Sequence, residues 1–354
     1  MTAKPLITTI IPTYKRPQTL KRAIQSVLNQ TFPAFQVCVY DDASNDDTKT
    51  VVSELAKTDS RVKYYCHEEN IGMFANWNFG LKEVNTLFFS FLSDDDLLLP
   101  NFFESAMQSL GSNAEVMFYA GSTITIDDAK IINIAKDYGR FGYFPPPRGL
   151  LEIVNTNGLI WNSIVFRSEV IGREGTIDTK TCAASDIDFV LRIAAHHAII
   201  ISKEPGAIFV SHSQSLSSTT SDLRFMWPGF QHMWNKIMSD ESLPLDVRVH
   251  VKTKLNEWLC YQLRLLGERA HARRESDNVH AIAELQARVC NDKTKSRILI
   301  GMSKLQELSE PAFRFVSCLR GVFFLITSFC AILAHKIRQK QLQERYGKYL
   351  QYLL

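Results

Sequence analysis

Three short clusters in this chain have side chains and spacing that could do chemistry. Ser93-Asp94-Asp95-Asp96-Leu97 sets three adjacent carboxylates at the end of the apolar run Phe88-Phe89-Ser90-Phe91-Leu92. Neighbouring carboxylates repel, which is costly unless a cation or solvent relieves it. Oxygen-only donors suit a hard divalent ion such as Mn2+ or Mg2+, and such an ion could neutralise a departing diphosphate. The alternative is a solvated acidic loop that caps a helix near Asn101. In Tyr40-Asp41-Asp42-Ala43-Ser44 a carboxylate could accept the N3 hydrogen of uracil or thymine, or the N1 and N2 hydrogens of guanine, and so read a base. A plain turn and helix cap built on Ser44 is the alternative. In Pro12-Thr13-Tyr14-Lys15-Arg16 the backbone turns sharply, and Thr13, Tyr14 and Arg16 could reach a base, a ribose or a phosphate.

The elements that must carry these clusters alternate in type. Leu6–Ile11 is a β-rich apolar run stopped by Pro12, and Thr19–Leu28 has apolar residues at helical spacing. Phe35–Tyr40 reads as a second strand, 46–56 as a helix capped by Asn45 or Asp46, and Arg61–Tyr65 as a third strand. Ala75–Leu81 reads as helix, Thr86–Leu92 as strand, Phe102–Leu110 as helix and Val116–Ala120 as strand. The Pro145-Pro146-Pro147 run predicts an extended surface loop over 141–148. Helical spacing resumes over Ile187–Ala195, and Ala207–Val210 reads as a strand. This alternation predicts an α/β fold with a mostly parallel central sheet covered by helices on both faces. Ligands bind such sheets outside the carboxyl ends of the strands, where both acidic clusters fall.

The 354 residues are 45% hydrophobic and 22% charged, ordinary values for a chain with a real core. A net charge of +3 gives no reason to expect nucleic acid as a partner. The charge is unevenly placed. Residues 1–222 hold 19 Lys and Arg against 25 Asp and Glu, a balance of −6, whereas 223–354 hold 21 against 12, a balance of +9. The basic part is the better match to an anionic surface. Seven scattered cysteines, with no Cys-x-x-Cys, predict reduced thiols and a cytoplasmic setting. Met1 leads directly to a strand-like run with no apolar block of signal type. A Gly-rich turn after the first strand, a P-loop and a His-Glu-x-x-His are all missing, which excludes dinucleotide oxidoreductases, P-loop enzymes and zinc hydrolases of that kind.

Taken in order, the clusters, with Gln30-Thr31-Phe32 and Asn70-Ile71-Gly72 between them, resemble family-two glycosyltransferases over roughly residues 6–216. The resemblance implies a GT-A nucleotide-sugar-binding fold and inverting transfer of a sugar to a saccharide or lipid-linked acceptor, as in assembly of a bacterial surface polysaccharide such as O-antigen. It further implies that Pro12, Thr13, Tyr14 and Arg16 line the nucleotide, that Asp42 contacts the base, and that Asn70, Gly72 and Asn78 form a donor-side segment. Asp94 would lie near the ribose. Asp95, helped by Asp94 and with Asp96 as a further ligand, would hold the divalent cation, with His212 approaching the metal or the diphosphate. In Ser185-Asp186-Ile187-Asp188-Phe189-Val190-Leu191-Arg192 the resemblance puts the catalytic base at Asp186, and Asp188 is expected to pair with Arg192 four residues on. A helix cap at Asp186 and an ordinary packed histidine at His212 are the alternatives. Three positions depart from the family pattern: Ser93 and Ser185 replace acidic residues, and Trp77 stands where many relatives carry a basic one. The two serines leave open a degenerate transferase that binds a nucleotide sugar, or acts as a scaffold, without turnover.

From 223 onward the texture changes to a helical appendage. Val251, Leu255, Trp258, Leu259, Gln262, Leu263 and Leu266 fall on one stripe, and Ile282, Leu285 and Val289 on another. The expected division is therefore 1–222 and 223–354. Within 316–337, Gly321–Ala334 is uncharged and apolar but shorter than the ~20 residues of a membrane span. A core helix, a span and a helix lying on the inner face of the cytoplasmic membrane are all compatible with it.

Overall fold

The computed structural model describes residues 4–127, 132–135, 139–156, 159–212, 223–273, 275–290, 299–301, 304 and 340–353. The chain runs β1 (Ile7–Thr13), α1 (Pro17–Leu28), β2 (Phe35–Asp41), α2 (Thr48–Thr58), β3 (Val62–Cys66), α3 (Met73–Lys82), β4 (Phe88–Phe91), β5 (Leu97–Leu98), α4 (Phe102–Gly111) and β6 (Val116–Asp127). It continues through β7 (Ile132–Ala135), β8 (Gly142–Phe144), α5 (Arg148–Asn155), β9 (Ile164–Arg167), α6 (Glu169–Glu174), a 3-10 turn (Thr179–Ala184), α7 (Ser185–His196) and β10 (Ala198–Ser211). Helices α8 (Leu223–Ser239), α9 (Leu245–Ala272) and α10 (Ser276–Val289) follow.

The strands form one sheet in the order β3-β2-β1-β4-β9-β6-β10-β5, with β7 beside β6 and β8 beside β10. The β3-β2-β1-β4 half is parallel, as is the long β6–β10 pair, while β9 runs antiparallel between β4 and β6. Alternation along β1 shows how this sheet is filled. Ile7 and Ile11 face a core with Leu20, Ile24 and Val27 of α1, and Ile10 faces the opposite core with Phe89, Phe91 and Phe166. The second core is continuous with Phe230, Met233, Val251, Leu255, Leu259, Leu263 and Leu266, so the C-terminal helices pack directly on the sheet domain.

Several expectations are revised. Strand β1 passes through Pro12 to Thr13, because its ladder with β4 ends at Ile10 and leaves that edge free to take a residue without an N–H. Part of the presumed loop over 141–148 pairs with β10, with Tyr143 opposite Ile200, and α5 begins at Arg148 directly after the prolines. Helix α2 starts at Thr48 after an Asp47 cap, while the Asp46 carboxylate accepts the Thr48 N–H at 2.9 Å. The cysteines differ most. Cys260 on α9 and Cys290 at the end of α10 are bonded, because these two packed helices bring residues 30 positions apart to a Cα separation of 5.7 Å. Nothing in their sequence spacing announces the pair. The apolar segment 321–334 lies outside the described residues. Residues 340–349 return to the sheet, where Leu342, Tyr346 and Tyr349 pack on Leu97, Leu99, Ile124, Ile126 and Ile208.

Helix α3 lies close against β1 and β2 at Gly80, where a Cβ would meet Ile10 Cγ2 at 2.7 Å and the Tyr40 ring at 2.9 Å. Both neighbours are fully buried and cannot yield. Gly80→Val is expected to cost about 2–3 kcal/mol in chemical denaturation, the scale of an overpacked core, and unchanged stability would mean that α3 is free to shift.

Candidate functional site

The carboxyl ends of β1, β2, β4 and β10 meet around Thr13. Its carbonyl accepts the Asp42 N–H at 3.0 Å, and its hydroxyl donates to Asp94 Oδ2 at 2.7 Å, so one residue joins all three sequence clusters. The loops after β1 and β2 are tied together by Ser44. Its hydroxyl accepts the Lys15 N–H at 2.8 Å and donates to Asp41 Oδ1 at 2.5 Å. This tie holds Lys15 (φ 57°), Ala43 (φ 58°) and Asn45 (φ 53°) in the left-handed region that side chains disfavour. Such strain persists only where the surroundings enforce it, and it clusters at functional sites.

The acidic triplet divides its labour. Asp95 Oδ2 accepts from Arg16 Nη1 at 2.7 Å and lies 2.8 Å from His212 Nε2. The same Arg16 nitrogen reaches Asp94 Oδ1 at 3.2 Å, so one guanidinium bridges both carboxylates. Asp96, the third of the triplet, has protein partners on both oxygens. It is fully buried, its Oδ1 accepts the Val210 N–H at 2.7 Å, and its Oδ2 accepts from Asn162 Nδ2. That carboxylate therefore joins the turn after β4 to β10 and to Asn162. Asn162, itself buried, also accepts the Ser93 N–H at 3.2 Å, which fixes the turn that displays Asp94 and Asp95.

Burial raises the Asp94 carboxyl to about 6, with the negative charge of Asp95 adding to the shift and Arg16 and Thr13 opposing it. Asp96 is raised well above the usual range by burial and by Asp95. Two carboxylates out of water and close together make a place where further positive charge is favourable. Among the described residues no three His, Cys, Asp or Glu side chains converge as a ready-made metal centre. Mn2+ and Mg2+ are commonly held by one or two carboxylates with substrate phosphates completing the shell, and Asp95 with Asp94 beside it offers that smaller donor set, with His212 2.8 Å from Asp95.

The other sequence-assigned residues are placed as follows. Tyr14 is 42% exposed beside this cluster. Asp42 is buried, and its two oxygens accept the Ile71 N–H at 2.7 Å and the Gly72 N–H at 3.0 Å, so its carboxylate grips the 70–72 segment. Asn70 Nδ2 donates to the Asp42 carbonyl at 3.2 Å. Gly72 begins α3 at φ 87°, a conformation that favours glycine. Asn78 pairs with both backbone groups of Ile177. Trp77 packs on Trp161, ring centres 4.4 Å apart, and supplies core where the family pattern has a cation. Asp186 sits half-buried in the first turn of α7, with Oδ1 accepting the Ile187 N–H at 2.8 Å. Asp188 pairs with Arg192 at 3.0 Å as the spacing predicts. Asn162, the cross-linking role of Ser44, and Asn76, which donates to the Tyr40 carbonyl at 2.8 Å, carry no sequence signal beyond their polar type.

The raised Asp94 carboxyl has a signed consequence. A group titrating near 6 when folded and near 4 when unfolded favours the fold fully below about pH 4, and that contribution is lost as pH rises through 6. In metal-free buffer Asp94→Asn should therefore gain thermal stability relative to wild type at pH 7.5, with the gap closing toward pH 4.5. A gap that does not change with pH would contradict the burial argument.

Residues 8–170 match the glycosyl transferase family 2 model. A stretch of 105 residues is 41% identical to the GalNAc(5)-diNAcBac-PP-undecaprenol beta-1,3-glucosyltransferase of Campylobacter jejuni, covering 29% of this chain and 34% of that protein. An uncharacterized glycosyltransferase of Rickettsia felis is 26% identical over 239 residues, covering 64% of this chain and 38% of that protein. The chain thus spans little more than a third of the length of these relatives. Among solved structures, S. aureus TarS 1-349 in complex with UDP-GlcNAc superposes with a TM-score of 0.61 at 16% identity, covering 85% of this chain and 91% of that one. Mannosyltransferase PcManGT from Pyrobaculum calidifontis, in complex with GDP-Man and Mn2+, gives 0.51 at 16% identity over 89% and 84%. These likenesses show the fold, a GT-A sheet with C-terminal helices. The chain thus has the GT-A fold, and its residues 8–170 match the glycosyl transferase family 2 model.

Proposed function

We propose that this protein moves a sugar from a nucleoside-diphosphate sugar to a hydroxyl of a saccharide or lipid-linked acceptor, with inversion, in assembly of a surface polysaccharide. The observation that carries the reading is the knot of Thr13, Arg16, Asp94, Asp95 and His212 at the strand ends where α/β sheets bind ligands. The Pro12–Arg16 loop takes the nucleotide, with exposed Tyr14 beside the base and Arg16 turned to phosphate. Asp42 shapes the base side by holding the Ile71 and Gly72 N–H groups. Asp95, with Asp94 and His212, would hold a divalent cation, which when bound supplies positive charge against the departing diphosphate. The acceptor oxygen forms its bond to the anomeric carbon as the bond to the diphosphate oxygen breaks with its electron pair. Asp186 receives the acceptor proton. Arg16, pre-positioned by two carboxylates, meets charge developing on the leaving group without reorganisation, the arrangement that lowers barriers most.

The relatives support these assignments in kind: one is named for a lipid-linked acceptor, and one solved neighbour holds a nucleotide sugar with Mn2+. We assign 1–222 to transfer and 223–354 to a helical region whose balance of +9 suits contact with anionic lipid on the inner face of the cytoplasmic membrane. Among the described residues no helix is long and apolar enough to cross a membrane. A second reading, a nucleotide-sugar-binding protein without turnover, draws on Ser93 in the first acidic position and on the want of a three-donor centre among the described residues.

The test is binding and turnover of UDP-, GDP- and dTDP-sugars with and without Mn2+. One donor is expected to bind in a metal-dependent way and to be slowly hydrolysed, with Asp95→Ala lowering turnover by at least ~100-fold. Binding without turnover would select the second reading, and no binding by any donor would reject both.

A further inference from the structure

The segment leading into α7 is anchored from two sides. On α3, Asn78 donates from Nδ2 to the Ile177 carbonyl at 2.8 Å and accepts the Ile177 N–H at 2.9 Å. One residue later, Asp178 Oδ2 accepts from Lys236 Nζ at 2.9 Å and lies 2.9 Å from His232 Nε2, both on α8. The same Lys236 nitrogen donates to Asp188 Oδ2 at 2.9 Å. Asp188 is 1% exposed and also accepts from Arg192 Nε at 3.0 Å, while Arg192 donates to the carbonyls of Thr176, at 2.8 Å, and Glu174. One ammonium therefore pins both the residue before the 3-10 turn and the first turn of α7, and Asp186 stands between the two points.

The intervening backbone is tightly held. Cys182 adopts φ 45°, and α8 crosses so near that a Cβ on Gly229 would lie 2.0 Å from the Thr181 carbonyl oxygen. A buried carboxylate such as Asp188 is costly unless paired, so the Lys236 and Arg192 contacts are obligatory parts of this packing. Asn78 belongs to the helix that opens at Gly72, whose N–H is gripped by Asp42. The chain of contacts thus runs from the β2 end, through α3 and residue 177, to α8 and back to the turn that bears Asp186.

We propose that Lys236 is a positioning residue for Asp186, and that helix α8 is by this route a working part of the transfer site. The inference rests on the proposed transfer reaction with Asp186 as proton acceptor. Lys236 touches neither donor nor acceptor. It fixes the two ends of the segment on which the base is carried, while Asn78 references that segment to the donor side.

The experiment compares wild type, Lys236→Met, Lys236→Arg, Asp186→Asn and the Lys236→Met/Asp186→Asn double variant, measuring nucleoside-diphosphate affinity by calorimetry and steady-state transfer. Lys236→Met is expected to leave nucleotide affinity within about twofold, to lower kcat by at least ~10-fold, and to be largely rescued by Lys236→Arg. Its loss should vanish in the Asp186→Asn background, because residues acting through one group are not additive. Wild-type kcat in Lys236→Met, an undiminished loss in the Asp186→Asn background, or a matching collapse of nucleotide affinity would each overturn the proposal. Should Lys236→Met fail to fold, Asp178→Asn removes the loop half of the bridge at a more exposed carboxylate and decides by the same criteria. Absence of transfer by wild type with every donor would instead defeat the underlying reading, and this inference with it.

Discussion

Two carboxylates, Asp94 and Asp95, are withdrawn from water at the end of β4, and much of the surrounding structure answers that cost. Arg16 bridges them, Thr13 donates to one and His212 reaches the other. Each partner arrives on a different element: Thr13 at the end of β1, Arg16 at the start of α1, His212 just past β10. Lys15, in the loop that delivers Arg16, and Ala43 and Asn45, in the neighbouring loop after β2, sit at positive φ, and Ser44 ties the two loops together. Asp96 and Asn162 complete the frame from below by clamping β4 to β10 and to the turn at Ser93. A site whose charges are only partly neutralised by protein groups is prepared for a ligand that brings more positive charge together with acceptors for Arg16. A cation with a diphosphate has that combination.

The sheet's two faces serve this site unequally. On one side α1 and α4 close a conventional core over β1, β2 and β6. On the other, the core around Phe89, Phe91 and Phe166 continues without a break into α8, α9 and α10. The C-terminal helices are thus packed against the elements that carry Asp186, and the Lys236 bridge is the polar expression of that contact. Burial of large apolar side chains, at roughly 1.5–3 kcal/mol each, gives the face its stability, while ion pairs to Asp178 and Asp188 give it register. Burial alone would raise the Asp178 carboxyl, but Lys236, His232 and the Lys180 N–H outweigh it and hold the group down to about 2.

Much of this was legible in the residues, and the limits are physical. Leu6–Ile11, Phe35–Tyr40 and Thr86–Leu92 read as strands because parallel strands covered on both faces become largely apolar runs. Strand β10 was legible only in its second half, since Lys203-Glu204-Pro205-Gly206 looks like a loop. The structure carries the strand across it with register shifts on both sides of Pro205, and Gly121 of β6 stands against Gly206. Strand β9 has four residues, and no periodicity can declare a run so short. Within the site, the convergence of Thr13, Arg16, Asp94, Asp95 and His212 follows from strand order. The direction of each carboxylate does not. Asp42 and Asp96 look like ligands in a one-dimensional string, yet each has two protein donors waiting in three dimensions. The Cys260–Cys290 bond was invisible for a similar reason, being created by a helix pairing with no motif of its own.

The central claim is that Asp94, Asp95 and His212 form an incomplete cation site that a nucleoside diphosphate completes. Electron paramagnetic resonance of Mn2+, titrated with protein in the presence and absence of UDP or GDP, tests it most directly. The account predicts weak binding of the ion alone, one tightly bound Mn2+ per chain once a nucleoside diphosphate is added, and loss of that bound signal in Asp95→Ala. Tight Mn2+ binding that ignores the nucleotide and survives Asp95→Ala, or no bound Mn2+ under any of these conditions, would contradict it.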